Sequence, residues 1–354
     1  MAAAFGHIDD LEQQSNEFTI SDKDILSMKM RAFGTAGFKT SEIGLGCWQL
    51  GGTDWGAVDE AKCFEILSTA VDAGVSFFDT ADVYGGGRSE SLIGSFLKEK
   101  KHDIFVATKL GRTAELYPDH YTEATLRDAT EASLKRLGTE ILDLTQLHCV
   151  PTEIFLEGEV FEWLRKLQQE GKIRHFGASV ESMEEAKICL AQDGLTSLQI
   201  IFNIFRQKPV TTLFPEALEK GVAIIVRLPL ASGVLAGKMS KATTFAEKDH
   251  RNYNRDGGAF NVGETFAGLP YEKAIDLVNE LKPWVPEGMT MAEMAQRWIL
   301  DHEAVSVVIT GASRPEQVTD NAKSSDLPRL PAELHTRLVD FYTSRVAAYI
   351  RGPY

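Results

Sequence analysis

The chain has 354 residues, with 51 acidic and 37 basic side chains and a formal charge of −14. That balance argues against partners that need a basic face, namely nucleic acid and anionic membrane, but does not bear on a small anionic ligand in a local pocket. With 44% hydrophobic and 25% charged residues, the composition is that of an ordinary globular protein, long enough to bury a large core.

The N-terminal stretch MAAAFGHIDDLEQQSNEF is polar and acidic, without the basic start and apolar centre of a secretory signal. Residues 1–27 are read as a surface extension and 28–354 as one domain. Residues 30–41 (MRAFGTAGFKTS) place glycine-centred turn chemistry between β-prone arms, which predicts a hairpin. Eight strands are then expected, at 43–48, 75–80, 104–109, 142–148, 173–179, 197–203, 222–229 and 305–310. Most are apolar on both parities, as strands covered on both faces are. Amphipathic helices are expected between them, at 59–73, 122–137, 159–170, 182–192 and 213–220. Gly74, Gly138, Gly171, Gly194 and Gly221 follow these helices, where glycine accepts the left-handed turn that ends a helix. Gly237 to Gly268 form a long polar loop between the seventh and eighth units, read as a lid.

Eight βα units imply a (β/α)8 TIM barrel with an N-terminal β-hairpin and that lid loop. An open doubly wound sheet is weakened by the lack of G-x-G-x-x-G after the first strand. No apolar run reaches the ~18 residues of a membrane span. Cysteines 47, 63, 149 and 189 form no C-x-x-C pair, so no metal or redox dithiol is expected, and a reducing, cytoplasmic compartment fits.

In such a barrel the chemistry gathers at the C-terminal ends of the strands. Those ends carry Asp79, Lys109 and His148, and Tyr84 lies in the loop after Asp79. A tyrosine beside an ammonium has its pKa lowered, a carboxylate holds that ammonium, and an imidazole can orient a substrate oxygen. The set suits protonation of an oxygen while a carbonyl is reduced. Each residue alone has a bland reading as a cap, an interface aromatic, a solvated charge or a satisfied polar group.

The stretches GLGCWQLGG, FFDTADVYGGGRSESLIG, FVATKLG, LDLTQLH, IRHFGAS, LQIIFN, PLASGVLAGK and VVITGASRPEQVTDN together resemble the aldo-keto reductase family, from about residue 30 to 345. The resemblance implies an enzyme binding NADP(H), with NAD(H) as the alternative, and reducing an aldehyde, ketone or sugar carbonyl. It implies Tyr84 as the proton donor, Lys109 as its partner, Asp79 as the anchor of Lys109 and His148 as the orienter of the carbonyl. Ser179 and Gln199 would hold the nicotinamide carboxamide, and Trp48, Tyr84 and His148 would line the substrate pocket. Cys47, Trp48, Asp79, Arg227, Pro229, Leu230, Gly233, Leu235, Gly237 and Lys238 complete the expected cofactor surface toward the pyrophosphate. Gly311, Ser313, Arg314, Gln317 and Asn321 are assigned to its adenosine end, the last two on one helical face. Ser179 has a bland reading too, as the cap of the helix that begins ESMEEA.

This chain departs from the family pattern in four places. Val180 replaces a common asparagine, Arg227 a common aromatic and Cys47 a common threonine, and the family's lysine near the 2′-phosphate has no obvious counterpart. Two rival functions are carried: a non-catalytic NADP(H)-binding regulatory subunit, and a Schiff-base aldolase on Lys109. The expected partner is a small carbonyl or sugar substrate, and a homo-oligomer is compatible with the sequence.

Overall fold

The computed structural model describes residues 28–52, 58–99 and 102–354. The expected extension, residues 1–27, lies outside the described residues. The chain opens with β1 (Met30–Ala32) and β2 (Lys39–Ser41), which pair antiparallel with Met30 opposite Ser41. This is the hairpin that the glycine-centred turn predicts.

The strands and helices then alternate. They run β3 (Ile43–Gly46), α1 (Glu60–Asp72), β4 (Phe77–Asp79), α2 (Arg88–Glu99), β5 (Phe105–Leu110), α3 (Glu123–Leu137), β6 (Leu142–His148), α4 (Thr152–Glu157) and α5 (Glu159–Gln169). After these come β7 (Ile173–Ser179), α6 (Met183–Leu190), β8 (Ser197–Ile201), α7 (Pro209–Thr212), α8 (Phe214–Lys220), β9 (Ala223–Arg227) and α9 (His250–Tyr253). The chain ends with α10 (Tyr271–Leu281), α11 (Met291–Leu300), β10 (Val305–Gly311), α12 (Pro315–Lys323) and α13 (Ala332–Phe341). Strands β3 to β10 are all parallel and close into a barrel in the order β10-β3-β4-β5-β6-β7-β8-β9.

Local chemistry explains the boundaries. Thr122 caps α3 by accepting from the Thr125 amide, and Gly138 ends it at φ 66°. Gly221 ends α8 in the same left-handed way, at φ 65°. Two differences from the sequence expectation bear on the site. The first barrel strand stops at Gly46, and Trp48 begins a short 3-10 turn, Trp48–Gly51. The helix cap before α6 is Ser182, which accepts from the Glu185 amide, so Ser179 is free of that bland role.

The period of two along each strand sorts side chains between two cores. Outward-facing residues such as Phe78, Val106 and Leu147 join the helices in the large outer core. Inward-facing Phe77, Ala107, Leu144, Ile225 and Val307 make a separate cluster inside the barrel, closed off by Phe33 of the hairpin turn. Phe33 and Phe38 stack at 5.1 Å, and Phe38 stacks on Phe105 at 4.6 Å. The hairpin therefore plugs the N-terminal end of the barrel and leaves the C-terminal end as the open face. It is tied down by Arg31, which pairs with Glu42 at 2.6 Å and donates to the Val305 carbonyl at 3.0 Å. Among the described residues, no helix is long and apolar enough to cross a membrane.

Candidate active site

The same parity that buries Phe77, Ala107 and Leu144 carries Asp79, Lys109, Gln146 and His148 inward, nearer the open end. Lys109 and Asp79 are almost fully buried. Lys109 Nζ donates to Asp79 Oδ1 at 2.7 Å, to the Thr80 carbonyl at 2.9 Å and to Tyr84 Oη at 3.0 Å. The Tyr84 loop is brought in by a close backbone approach. A Cβ on Gly85 would lie 2.3 Å from the Gly51 carbonyl oxygen, and Gly85 sits at φ 63°, so only glycine fits. That approach stacks the Trp48 and Tyr84 rings at 5.9 Å. His148 meets Tyr84 edge-on at 5.9 Å. Its Nδ1 is buried without a hydrogen-bond partner among the described residues.

The electrostatics follow from burial and neighbours. Burial pushes the Tyr84 phenol above its ordinary value, and Lys109 pulls in the opposite direction without overcoming it. Burial alone would depress the Lys109 ammonium, yet Asp79 and Tyr84 outweigh it and hold that pKa above the ordinary value. Burial, with Lys109, Arg112 and Arg227 nearby, drives His148 well below its ordinary value. At neutral pH the site therefore holds a phenol, an ammonium and a neutral imidazole.

Tyr84 and His148 line a cleft of about 810 Å³ at the open end of the barrel, with the buried Lys109 bonded to Tyr84. Trp48, Asp79, Gln199, Arg227, Pro229, Leu230, Gly233, Lys238, Gly311, Ser313 and Gln317 also line it. Other expected residues sit elsewhere. The Cys47 thiol is fully buried and turns back toward the Leu45 carbonyl. Ser179 is buried with its hydroxyl 3.6 Å from Cys149 Sγ. Leu235 belongs to the outer core, and Gly237 packs on Met291. Asn321 is turned toward α11, where it accepts from Gln296 at 2.9 Å. Gln317 folds back to accept from the Ser313 amide at 2.8 Å. Arg314 is exposed at the start of α12, and Pro315 occupies the first turn. Beside Lys238, the backbone is left-handed at Leu228, Ala231, Ser232 and Gly233. Gly233 packs close to Met239, whose Cε would lie 2.9 Å from an added Cβ.

Gln146, Arg112, Glu181, Asn261 and Glu264 were not read from the sequence as site residues. Gln146 and Gln199 both donate to Asp79 Oδ2, at 3.3 and 2.7 Å. A polar residue sharing the inward parity of His148 was the available signal for Gln146. Arg112 donates to Glu264 Oε1 at 3.1 Å, and Arg227 lies 3.6 Å from the same oxygen. Arg112 is also 3.6 Å from Glu181 Oε1, and Asn261 donates to Glu181 Oε2 at 3.0 Å. These contacts fasten the long loop to the barrel mouth, with Trp48 packed on His250 at 4.9 Å. Cys149, Glu181 and Glu264 offer ligand atoms within 4.8 Å of one another. The two guanidinium groups against the same carboxylate oppose a cation there, and burial raises the Cys149 thiol to about 11.

A model of the Aldo/keto reductase family matches residues 42–342. The chain belongs to the aldo-keto reductase family. The aldo-keto reductase YhdN of Bacillus subtilis (strain 168) is 31% identical over 298 residues, covering 82% of this chain and 87% of that protein. Among solved structures, the glycerol dehydrogenase AKR11B4 from Gluconobacter oxydans superposes with a TM-score of 0.74 at 28% identity, covering 92% of this chain and 98% of that one. The holo form of aldo-keto reductase AKR11C1 from Bacillus halodurans gives 0.72 at 28%, covering 89% and 96%. As an aldo-keto reductase, this chain is an oxidoreductase built on the (β/α)8 barrel.

Proposed function

We propose that this aldo-keto reductase interconverts a carbonyl and an alcohol with NADP(H), using Tyr84 as the proton donor in the reducing direction. The observation that carries the reading is Lys109 Nζ held at once by Asp79, Thr80 and Tyr84. Tyr84 Oη gives its proton to the carbonyl oxygen. The adjacent ammonium stabilises the phenolate left behind, and Asp79 keeps that ammonium charged and aimed. Neutral His148 has a ring nitrogen with which to orient the same oxygen.

The donor set fits the cofactor. Lys238 and the left-handed backbone before it suit a pyrophosphate. Arg314 at the helix N-terminus, with Ser313, suits a 2′-phosphate, which favours NADP(H) over NAD(H). Gln199 spends its amide N–H on Asp79 but keeps its carbonyl oxygen for a carboxamide, near Ser179. Arg227 supplies a planar group where the family commonly has an aromatic ring. Bound there, NADP(H) supplies or accepts the hydride.

The geometry disfavours the Schiff-base aldolase. An imine needs a neutral amine, whereas Lys109 is locked as an ammonium by three acceptors. A regulatory subunit without turnover leaves the four assembled groups unexplained. The test is NADPH consumption against aldehydes, ketones and sugars, with Tyr84→Phe alongside. The variant should bind NADPH normally and lose turnover by about 100-fold or more. Undiminished turnover refutes Tyr84 as donor, and no turnover in the unaltered protein on any carbonyl favours the regulatory reading.

A further inference from the structure

Beyond Tyr84 and His148, the cleft wall has two unlike halves. One is aromatic, formed by Trp48, Tyr253 and Phe260. The other is a layer of four polar side chains drawn from separated segments: Arg112 after β5, Glu181 after β7, and Asn261 and Glu264 from the long loop. Their mutual contacts fix them in place, as described above, and Arg112 also lies 5.7 Å from the centre of the Phe260 ring. They line the same cleft as Tyr84 and His148.

The layer keeps spare hydrogen-bonding capacity. A guanidinium has five N–H donors and a carboxylate about four acceptor sites. Arg112 makes one close bond to Glu264 and sits beyond hydrogen-bond range of Glu181. Interleaved donors and acceptors match hydroxyl groups, each of which both donates and accepts. The aromatic half suits the C–H face of the same molecule. A plain alkyl chain would cover these polar groups without pairing them, and that loss is what makes such a site reject the deoxy analogue. A carboxylate-bearing substrate meets a different obstacle. Arg112 and Arg227 both face Glu264, and Arg112 also faces Glu181, so an added carboxylate would be set against those two side chains.

We propose that Arg112, Glu181, Asn261 and Glu264 form a hydroxyl-reading subsite that selects neutral carbonyl substrates bearing hydroxyl groups beside the carbonyl, over alkyl aldehydes and aldehyde acids. This rests on the reductase reading above and names the substrate class of that site.

The experiment measures kcat/KM with NADPH for D-glyceraldehyde, propanal and glyoxylate. The unaltered protein should prefer D-glyceraldehyde to both by about 100-fold or more. Arg112→Met should shrink its preference over propanal at least about tenfold, chiefly through a higher KM for D-glyceraldehyde. Glu181→Gln, which keeps the shape of the side chain, serves if Arg112→Met fails to fold, and should shrink the preference in the same sense. A preference near unity in the unaltered protein, or faster turnover of glyoxylate, overturns the subsite. So does a variant that loses activity equally on D-glyceraldehyde and propanal, because that is the mark of a loop fastener alone. No turnover of any carbonyl overturns the reductase reading, and the subsite with it. Intact turnover with a flat preference overturns the subsite only.

Discussion

The Gln199 side-chain amide donates to Asp79 Oδ2 at 2.7 Å, from a strand on the opposite side of the barrel. Asp79 thus has one oxygen on Lys109 and the other held from across the barrel, which fixes the plane of the carboxylate. Gln199→Leu removes that donor and leaves a buried oxygen with only the weaker Gln146 contact. The expected cost is about 1–3 kcal/mol of folding stability, read from denaturant midpoints. An unchanged midpoint would show that the cross-barrel bond contributes nothing.

Lys109 opposes the rise that burial imposes on Tyr84. With Tyr84 as the proposed proton donor, its acid form is the active one in the reducing direction, so kcat/KM should stay level through neutral pH and fall on the alkaline side. Lys109→Met removes the opposing charge. Turnover should drop, and the alkaline limb should move to still higher pH. A limb that moves to lower pH contradicts the assignment of that limb to Tyr84.

Glu181 is pushed up to about 7 by burial and by the Glu264 charge. Because its folded pKa exceeds the ordinary 4.5, its contribution to stability is fully present below about 4.5 and is lost as pH rises through about 7. Glu264 is shifted the other way, to about 2, because Arg112 and Arg227 outweigh its burial. Its contribution is lost only as pH falls from 4.5 toward 2. Melting temperature compared between Glu181→Gln and the unaltered protein should therefore show the variant losing less stability between pH 5 and 8. Parallel curves would contradict the shift.

Phe33 is fully buried where the hairpin plugs the barrel. Phe33→Ala should cost about 3–5 kcal/mol by denaturant titration. Molecules that remain folded should keep their turnover number, because the plug lies at the end of the barrel away from Tyr84.

Arg314 and Lys238 are the basic groups assigned to the phosphates. Arg314→Gln should reduce the preference for NADPH over NADH by about tenfold, the loss of one charge-assisted contact, measured as a KM ratio. An unaltered ratio would place the 2′-phosphate elsewhere.

Strand order and helix ends were legible because they depend on local chemistry. Apolar runs, Thr122 and Gly138 each act within a few residues. Asp79, Tyr84, Lys109 and His148 were legible because they fall at or just after strand ends. Trp48 was misplaced into a strand because an apolar residue after Gly46 continues the pattern, while the turn is set by the approach of Gly51 to Gly85. The Glu264–Arg112 pair was not legible. It joins positions 152 residues apart, and nothing near either residue signals the other. Asn321 shows a different limit of local spacing. Its helical spacing from Gln317 is right, but packing of α12 on α11 gives it to Gln296.

The stacked Phe33 and Phe38 close the bottom of a barrel whose interior Phe77, Ala107, Leu144, Ile225 and Val307 already fill. The molecule therefore has one working end. Changes in the hairpin bear on folding and changes at the opposite rim bear on chemistry, so the two can be altered at separate addresses of the same barrel.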